Sequence, residues 1–487
     1  LKAGENLDVA KNAQVTATEG DATLAGKNIS NSGTVTAEKG NVDVNAKENF
    51  TNQSTGNLNA KGKVTVNAET GNADNKGVIN GNQGTSVTAG QDVTNHEGAE
   101  ITSTEGKVDV NAQNGSVDNN GLIKGEAGTT VTAKTDVNNG ETGKILSPAG
   151  NVSVNAETGN VDNKGVINGN QGTSVTAGQD VINHEGAEIT STEGKVDVNA
   201  QNGSVDNNGL IKGEAGTTVT AKTDVNNGET GKILSPAGNV SVNAETGNVD
   251  NKGVINGNQG TSVTAGQDVI NHEGAEITST EGKVDVNAQN GSVDNNGLIK
   301  GEAGTTVTAK TDVNNGETGK ILSPAGDVTV NAKVLDNKGV IQSENGQTNV
   351  NAVVVNNTGV LHSKNGNYCI NNQCSNTLVE AATAGQSKDN LMSDLIDTLG
   401  DMERTIRSNL RVAENEQYPS SNAISLTFYD SRRGMNKLAS IISNRSVCSV
   451  VLPSGVNIAD DRLLAFCFAE NEKNKTQYHK KFQKVGY

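Results

Sequence analysis

The sequence predicts a solenoid: an all-β right-handed parallel β-helix of about 16 coils, each of about 22 residues, followed by a small α/β C-terminal domain. Three observations carry that prediction. The first is composition. The chain has 487 residues, yet no Trp, five Tyr, five Phe and three Met, with 58 Gly and only 32% hydrophobic residues. That glycine content exceeds the usual share of about 7%. A large globular core cannot be assembled from this list, which leaves disorder or a thin fold built round small side chains. The second observation is repetition. The string GTSVTAGQDV begins at Gly84, Gly172 and Gly260, a period of 88 residues (172 − 84). Residues 84–171 and 172–259 differ only at Thr94, which becomes Ile182, and residues 172–238 recur unchanged as 260–326. The third is strict apolar–polar alternation at matched offsets inside each block, which disordered tracts do not sustain.

Inside the 88-residue block runs a shorter period. The openings at Val87, Val108, Val131 and Val152 are 21, 23 and 21 residues apart, and the frame extends outward through Val42 and Val64, and through Val328, Thr348 and Tyr368. In Val108-Asp-Val-Asn-Ala112 the alternation is that of a half-buried strand. A second element follows an Asn-x-Gly turn, as in Asn119-Asn-Gly-Leu-Ile123, Asn163-Lys-Gly-Val-Ile167 and Asn357-Thr-Gly-Val-Leu361. Asn and Gly suit such corners because both tolerate left-handed backbone. The inward column is expected to be Val, Ile, Leu and Ala, too narrow for aromatics, in keeping with their absence from Thr51 to Asn367. Stacked Asn side chains at equivalent corners are expected to form amide ladders. Sixteen coils at the spacing of paired strands give a rod of about 75–80 Å.

The recurring Val-x-Val-x-Ala, then Val-x-Asn-x-Gly-x-Ile (Val117-Asp-Asn-Asn-Gly-Leu-Ile123, Val161-Asp-Asn-Lys-Gly-Val-Ile167), resembles the repeats of filamentous haemagglutinins. These are large exoproteins of two-partner secretion systems in Gram-negative bacteria, and they include adhesins and contact-dependent inhibition proteins. The resemblance covers about residues 7–372. It implies a β-helical protein that is secreted or held at the bacterial cell surface in association with the outer membrane. It also implies an outer-membrane secretion partner, and a receptor or glycan on a host or neighbouring cell. A signal peptide and an N-terminal secretion domain, both family features, are missing. Since the chain opens at Leu1 without Met, inside repeat-like sequence (Leu7 to Ala17), it is expected to be a C-terminal piece of a longer protein. No run of about 18 apolar residues is present, so attachment is expected to come from sequence outside this chain or from a partner.

The repeats offer no unique chemistry. Polysaccharide-processing β-helices need clustered acids or bases and an aromatic platform for sugars, and whatever stands at Asp109 stands again at Asp197 and Asp285. No catalytic residue, cofactor or metal is assigned. His96, His184 and His272, each in Asn-His-Glu-Gly, deserve testing as metal ligands. They lie four coils apart, roughly 19 Å by strand spacing, whereas a zinc ion needs its nitrogen ligands at about 2.0–2.1 Å. They cannot share one ion, and exposed corner residues are the expectation. The calcium-binding Gly-Gly-x-Gly-x-Asp nonapeptide is absent. Thr pairs such as Thr129-Thr130 recur once per four coils, too sparsely for an ice-binding ladder. Residues 1–374 hold 25 Lys/Arg against 43 Asp/Glu, a net of −18, which disfavours nucleic acid as a partner of the repeats.

Residues 1–374 thus form the repeat region, with near-identical blocks from residue 84; 375–390 (SNTLVEAATAGQSKDN) read as a cap or linker, and 391–487 as a small α/β domain. Leu391, Leu395, Leu399, Met402, Ile406 and Leu410 trace an amphipathic helix. Ala423–Tyr429 and Ser446–Leu452 read as strands, with helical Met435–Ile442 between them and an ambiguous apolar run at Leu463–Ala469. All five Tyr and four of five Phe lie beyond residue 367, and 375–487 carry 14 basic against 13 acidic residues, a net of +1. Cys369 and Cys374 are close enough to bridge across a turn, and Cys448 pairs best with Cys467. In the resembling family, contact-dependent inhibition proteins end in a toxin domain of about this size. If the tail, from about residue 385, is a toxin with nuclease chemistry, His479 would act as general acid or base, Lys480 or Lys481 would hold phosphate oxygens, and an immunity protein would be a partner. The leading expectation is a non-enzymatic adhesive or presenting stalk; the contact-dependent toxin is the alternative.

Overall fold

The computed structural model describes residues 1–375 and two short strands, Ser425–Thr427 and Ser449–Val451. It is an all-β parallel β-solenoid of about 17 turns of about 22 residues, one more than the sequence count. Its contacts divide it into two units, Leu1–Val293 and Asp294–Tyr487.

In the first unit each full coil has three strands and three corners. One coil runs through Lys107–Ala112, Val117–Asn119 and Leu122–Gly125, and the next through Gly128–Ala133, Val137–Asn139 and Lys144–Ser147. Like strands pair in parallel between the two coils. The three-residue second strand is too short for alternation to reveal it, so the sequence shows only two elements per unit. Inward-facing Val108, Val110, Ala112, Val117, Asn119 and Ile123 are each at most 1% exposed. Val87 registers with Val110, and Val108 registers with Thr85. Aligning Val87 with Val108, as the sequence invites, is therefore two residues out. The inward position that holds Val in one coil holds Thr in the next.

That substitution follows from the corners. In one coil type, Ser103 Oγ accepts from Gly106 N at 3.0 Å and donates to Asn82 O at 3.2 Å, closing a long third corner. In the other, the corner Gly125 to Gly128 is shorter, and Thr129 Oγ1 closes it by accepting from Gly125 N (2.8 Å) and donating to Leu146 O (2.6 Å). The other corners compensate. Third strands repeat at a constant 22 residues (Ile101, Ile123, Ile145). First strands alternate between 23 (Val87 to Val110) and 21 (Val110 to Val131), and second strands between 24 (Asn95 to Asn119) and 20 (Asn119 to Asn139). The structural repeat is thus two coils, 44 residues (131 − 87).

The interior is not purely apolar. The last residue of each second strand is an inward Asn, and in the first unit those from Asn31 to Asn271 are at most 2% exposed. Successive amides bond Nδ2 to Oδ1 at 2.8–2.9 Å. The expected ladder exists, but it lies inside the solenoid, where an unpaired amide is costly. Many of these amides also reach a third-strand carbonyl, as Asn119 Nδ2 does at Lys144 O (3.3 Å). The file stops below Asn31, whose partner in register is Val9, and Asn31 Oδ1 is left without a donor.

The glycine of the Asn-x-Gly turn serves close packing, not left-handed backbone. A Cβ on Gly121 would lie 2.3 Å from Ala99 O in the adjacent coil. Left-handed φ falls one corner type away, at Gly98 (77°), Gly186 (80°) and Gly274 (81°). The interior also admits an aromatic, contrary to expectation. Phe50 is 1% exposed, and it fits because the next coil sets Ala73 against it in register.

In the second unit the buried amides from Asn295 to Asn357 bond in the same way, at 2.6–2.8 Å. Its later coils are shorter. Val328–Asn337 and Thr348–Asn357 run straight through what is elsewhere the first corner, and the repeat falls to 20 residues (348 − 328). Tyr368–Ile370 adds in parallel to Thr348–Val350 and then reverses through Asn371 (φ 50°) and Asn372 (φ 62°) into antiparallel Gln373–Ser375. Asn is suited to such a two-residue left-handed turn. Cys369 and Cys374 form a disulfide across this hairpin, as their spacing anticipates.

In the tail, Ser425–Thr427 and Ser449–Val451 pair in parallel, inside the two segments read as strands. The expected linker at 376–390, the helices at 391–410 and 435–442, and the remainder of the α/β domain lie outside the described residues.

Candidate functional site

First-strand residues alternate inward and outward, so each coil contributes two central outward side chains to one face. One file on that face reads Thr88, Asn111, Thr132, Asn155, Thr176, Asn199 and continues in the same alternation to Asn287. The parallel file beside it carries Ser86, Asp109, Thr130 and Ser153. Both follow from the strand period of two, with one pair of side chains advancing by about 4.8 Å per coil. Unlike the buried amides, the Thr/Asn file in the first unit makes no side-chain hydrogen bond within the chain among the described residues. Its donors and acceptors face solvent. Thr130-x-Thr132 is the outward pair here; Thr129 points inward and is held by the corner, so counting adjacent Thr pairs misses this surface.

The three repeat histidines take a defined place. His96 follows the second strand and sets Nε2 2.5 Å from Asp74 Oδ1 of the adjacent coil; His272 and Asp250 repeat the contact at 2.6 Å. His184 Nε2 and Asp162 Oδ1 are 2.8 Å apart, an ion-pair separation without hydrogen-bond geometry. Each imidazole is about two-fifths exposed, at 42%, 40% and 41%. In the intervening coils Asn replaces His: Asn138 Nδ2 donates to Asp118 Oδ1 at 2.6 Å. The histidine is therefore one of two interchangeable caps on an outward Asp. No group of three or more His, Cys, Asp or Glu suited to a metal occurs among the described residues.

No protein-family model, curated protein or solved structure matches the chain. The site must be read from its own geometry.

His362 is the exceptional histidine. It occupies an outward position on Val360–Ser363, in register with half-buried Gln342, yet it is only 3% exposed and its Nδ1 has no partner. Burial, aided by nearby Lys364, lowers its pKa from 6.5 to about 4. Sequence reading passed over it because nothing in Leu-His-Ser-Lys signals burial. Asp109, Asp197 and Asp285 sit on the outward first-strand face at the same point of each 88-residue block, and the structure gathers them into no cluster. His479, Lys480, Lys481, Cys448 and Cys467 lie outside the described residues. Among the described residues no helix is long and apolar enough to cross a membrane.

Proposed function

We propose that this chain is the coil-built stalk of a surface-displayed adhesive exoprotein of the filamentous-haemagglutinin type, exported through an outer-membrane partner and binding a repetitive receptor or glycan on another cell. One observation supports the reading above others: the file of Thr and Asn side chains left uncommitted on the first-strand face, beside buried polar groups that are satisfied internally. A surface that repeats the same weak donors and acceptors suits multivalent attachment, in which many small contacts sum through effective concentration. Replacing Thr132, Thr176 and Thr220 with Lys on displayed protein is expected to reduce adhesion at least about tenfold while circular dichroism stays unchanged, as losing several members of a multivalent array should. Unchanged adhesion would sink the proposal.

The tail supports a second reading. Its net charge of +1 against −18 for the repeats marks a different object at the end of the chain, as in a contact-dependent inhibitor with a C-terminal toxin. Producing residues 385–487 in a bacterial cytoplasm arrests growth on this reading and has no effect on the first.

A further inference from the structure

The last coil ends on an unfinished strand edge. Thr348–Asn357 is a ten-residue strand, but Tyr368–Ile370 pairs only with its first three residues. The Asn371 side chain then stands in for a strand at Ala352, accepting from Ala352 N at 3.0 Å and donating to Ala352 O at 2.8 Å. Beyond that point, no described strand pairs above Val353–Asn356. The side chains there depart from the pattern too. Val353 is 81% exposed and Val354 45%, and Leu1 is the only other large exposed hydrophobic residue among those described. In the coil below, the place of Val353 belongs to Lys333, between the registered pairs Ala332–Ala352 and Val334–Val354. At the same corner of earlier coils the chain carries Gln91 and Thr135. A polar corner thus turns apolar only where the backbone edge above it is open.

An open edge with exposed valines is a ready template for strand addition, and left bare it invites aggregation. We propose that this edge is the docking site for the chain's own C-terminal segment, within residues 376–487, which adds a strand over Val353–Asn356. Three facts favour this occupant over a second copy. The remaining 112 residues (487 − 375) leave from the hairpin seated on the same coil. Tethered so closely, they face the edge at an effective concentration of the millimolar order, above that of a separate chain. The hairpin also covers the first half of this coil end, where a second copy stacking end to end would have to sit. The docking fixes where the tail begins relative to the repeats, whatever the tail does.

The test uses the full chain with a photo-crosslinking phenylalanine derivative at position 353. The expected product is an intramolecular adduct between position 353 and a peptide from 376–487, in a yield independent of protein concentration. In parallel, Val353→Lys/Val354→Lys, which restores the polarity that Lys333 has one coil below, is expected to speed amide exchange at 353–356 at least about tenfold while the repeats exchange as before. An adduct between two chains would overturn the proposal in favour of a second copy. So would the absence of any adduct to 376–487, or equal exchange at 353–356 in both proteins.

Discussion

Asn119 Nδ2 donates to Asn139 Oδ1 at 2.8 Å, inside a solenoid where both side chains are at most 1% exposed. Asn139 passes the pattern on, donating to Asn163 Oδ1 at 2.8 Å and to Val166 O at 3.3 Å. Each amide is at once donor to one coil and acceptor from the other, so the file ties neighbours together where apolar packing alone would let them slip.

Removing one member therefore strands two partners. Asn139→Ala is expected to cost about 2–4 kcal/mol, since buried groups left unmade carry their full desolvation penalty. Asn138→Ala, one residue away but facing solvent, should cost under about 1 kcal/mol despite its 2.6 Å bond to Asp118. Denaturant unfolding of the two variants checks the contrast. Equal losses would mean that the buried file contributes no more than a surface contact.

Phe50 and Ala73 are matched in size. Ala73→Val is expected to destabilise by about 1–3 kcal/mol through overpacking. The double variant Phe50→Val/Ala73→Val, which restores the usual valine pair, should recover most of that loss. A double-mutant cycle gives the coupling; additive effects would mean that the two side chains do not share one space.

Glycines at two corners should respond differently. Gly98 has φ 77° and open space where a methyl group would stand, so Gly98→Ala is limited to the backbone penalty of about 1–2 kcal/mol. Gly121→Ala drives a carbon to 2.3 Å from Ala99 O and forces adjacent coils apart, so it should be the more damaging change. Thermal unfolding of both variants ranks them.

These residues also show what the sequence could reveal. The coil length, the strands at Lys107–Ala112 and Leu122–Gly125, and the isoleucine file were legible because an apolar residue at a fixed offset has one physical explanation. Asn119 was not, because Asn beside Gly has two: a turn residue, or a buried amide continuing the alternation from Val117. Only the stacking of coils decides between them. Gly121 was misread for a related reason, since a missing side chain shows neither backbone conformation nor a neighbour's approach. The Thr/Asn face was hidden by corner-length alternation, which displaces Val87 from Val108. His362 was invisible because its burial depends on what lies around the last coil.

His362 supplies a pH dependence. Its folded pKa of about 4 lies below the ordinary 6.5, so the neutral form is favoured in the fold. Its contribution is complete above pH 6.5 and is lost as pH falls toward 4, because the unfolded state takes up the proton first. The full loss is about 3 kcal/mol. Hydrogen exchange over residues 340–370 should quicken between pH 7 and pH 5. His362→Gln, which copies Gln342 one coil below, should remove that sensitivity, and retention of it in the variant would exclude His362 as the source.

The alternation of corner lengths sets a rule for how such a chain can change size. Loss of 88 residues, such as 172–259, removes four coils, and loss of 44 removes two; in either case a serine-closed corner still follows a threonine-closed one. Loss of a single coil would bring two corners of the same kind together and misalign their closing hydroxyls. Growth and shrinkage of this protein should therefore proceed in even numbers of coils, making 44 residues, about 10 Å of added reach, the smallest heritable increment that keeps every neighbour compatible.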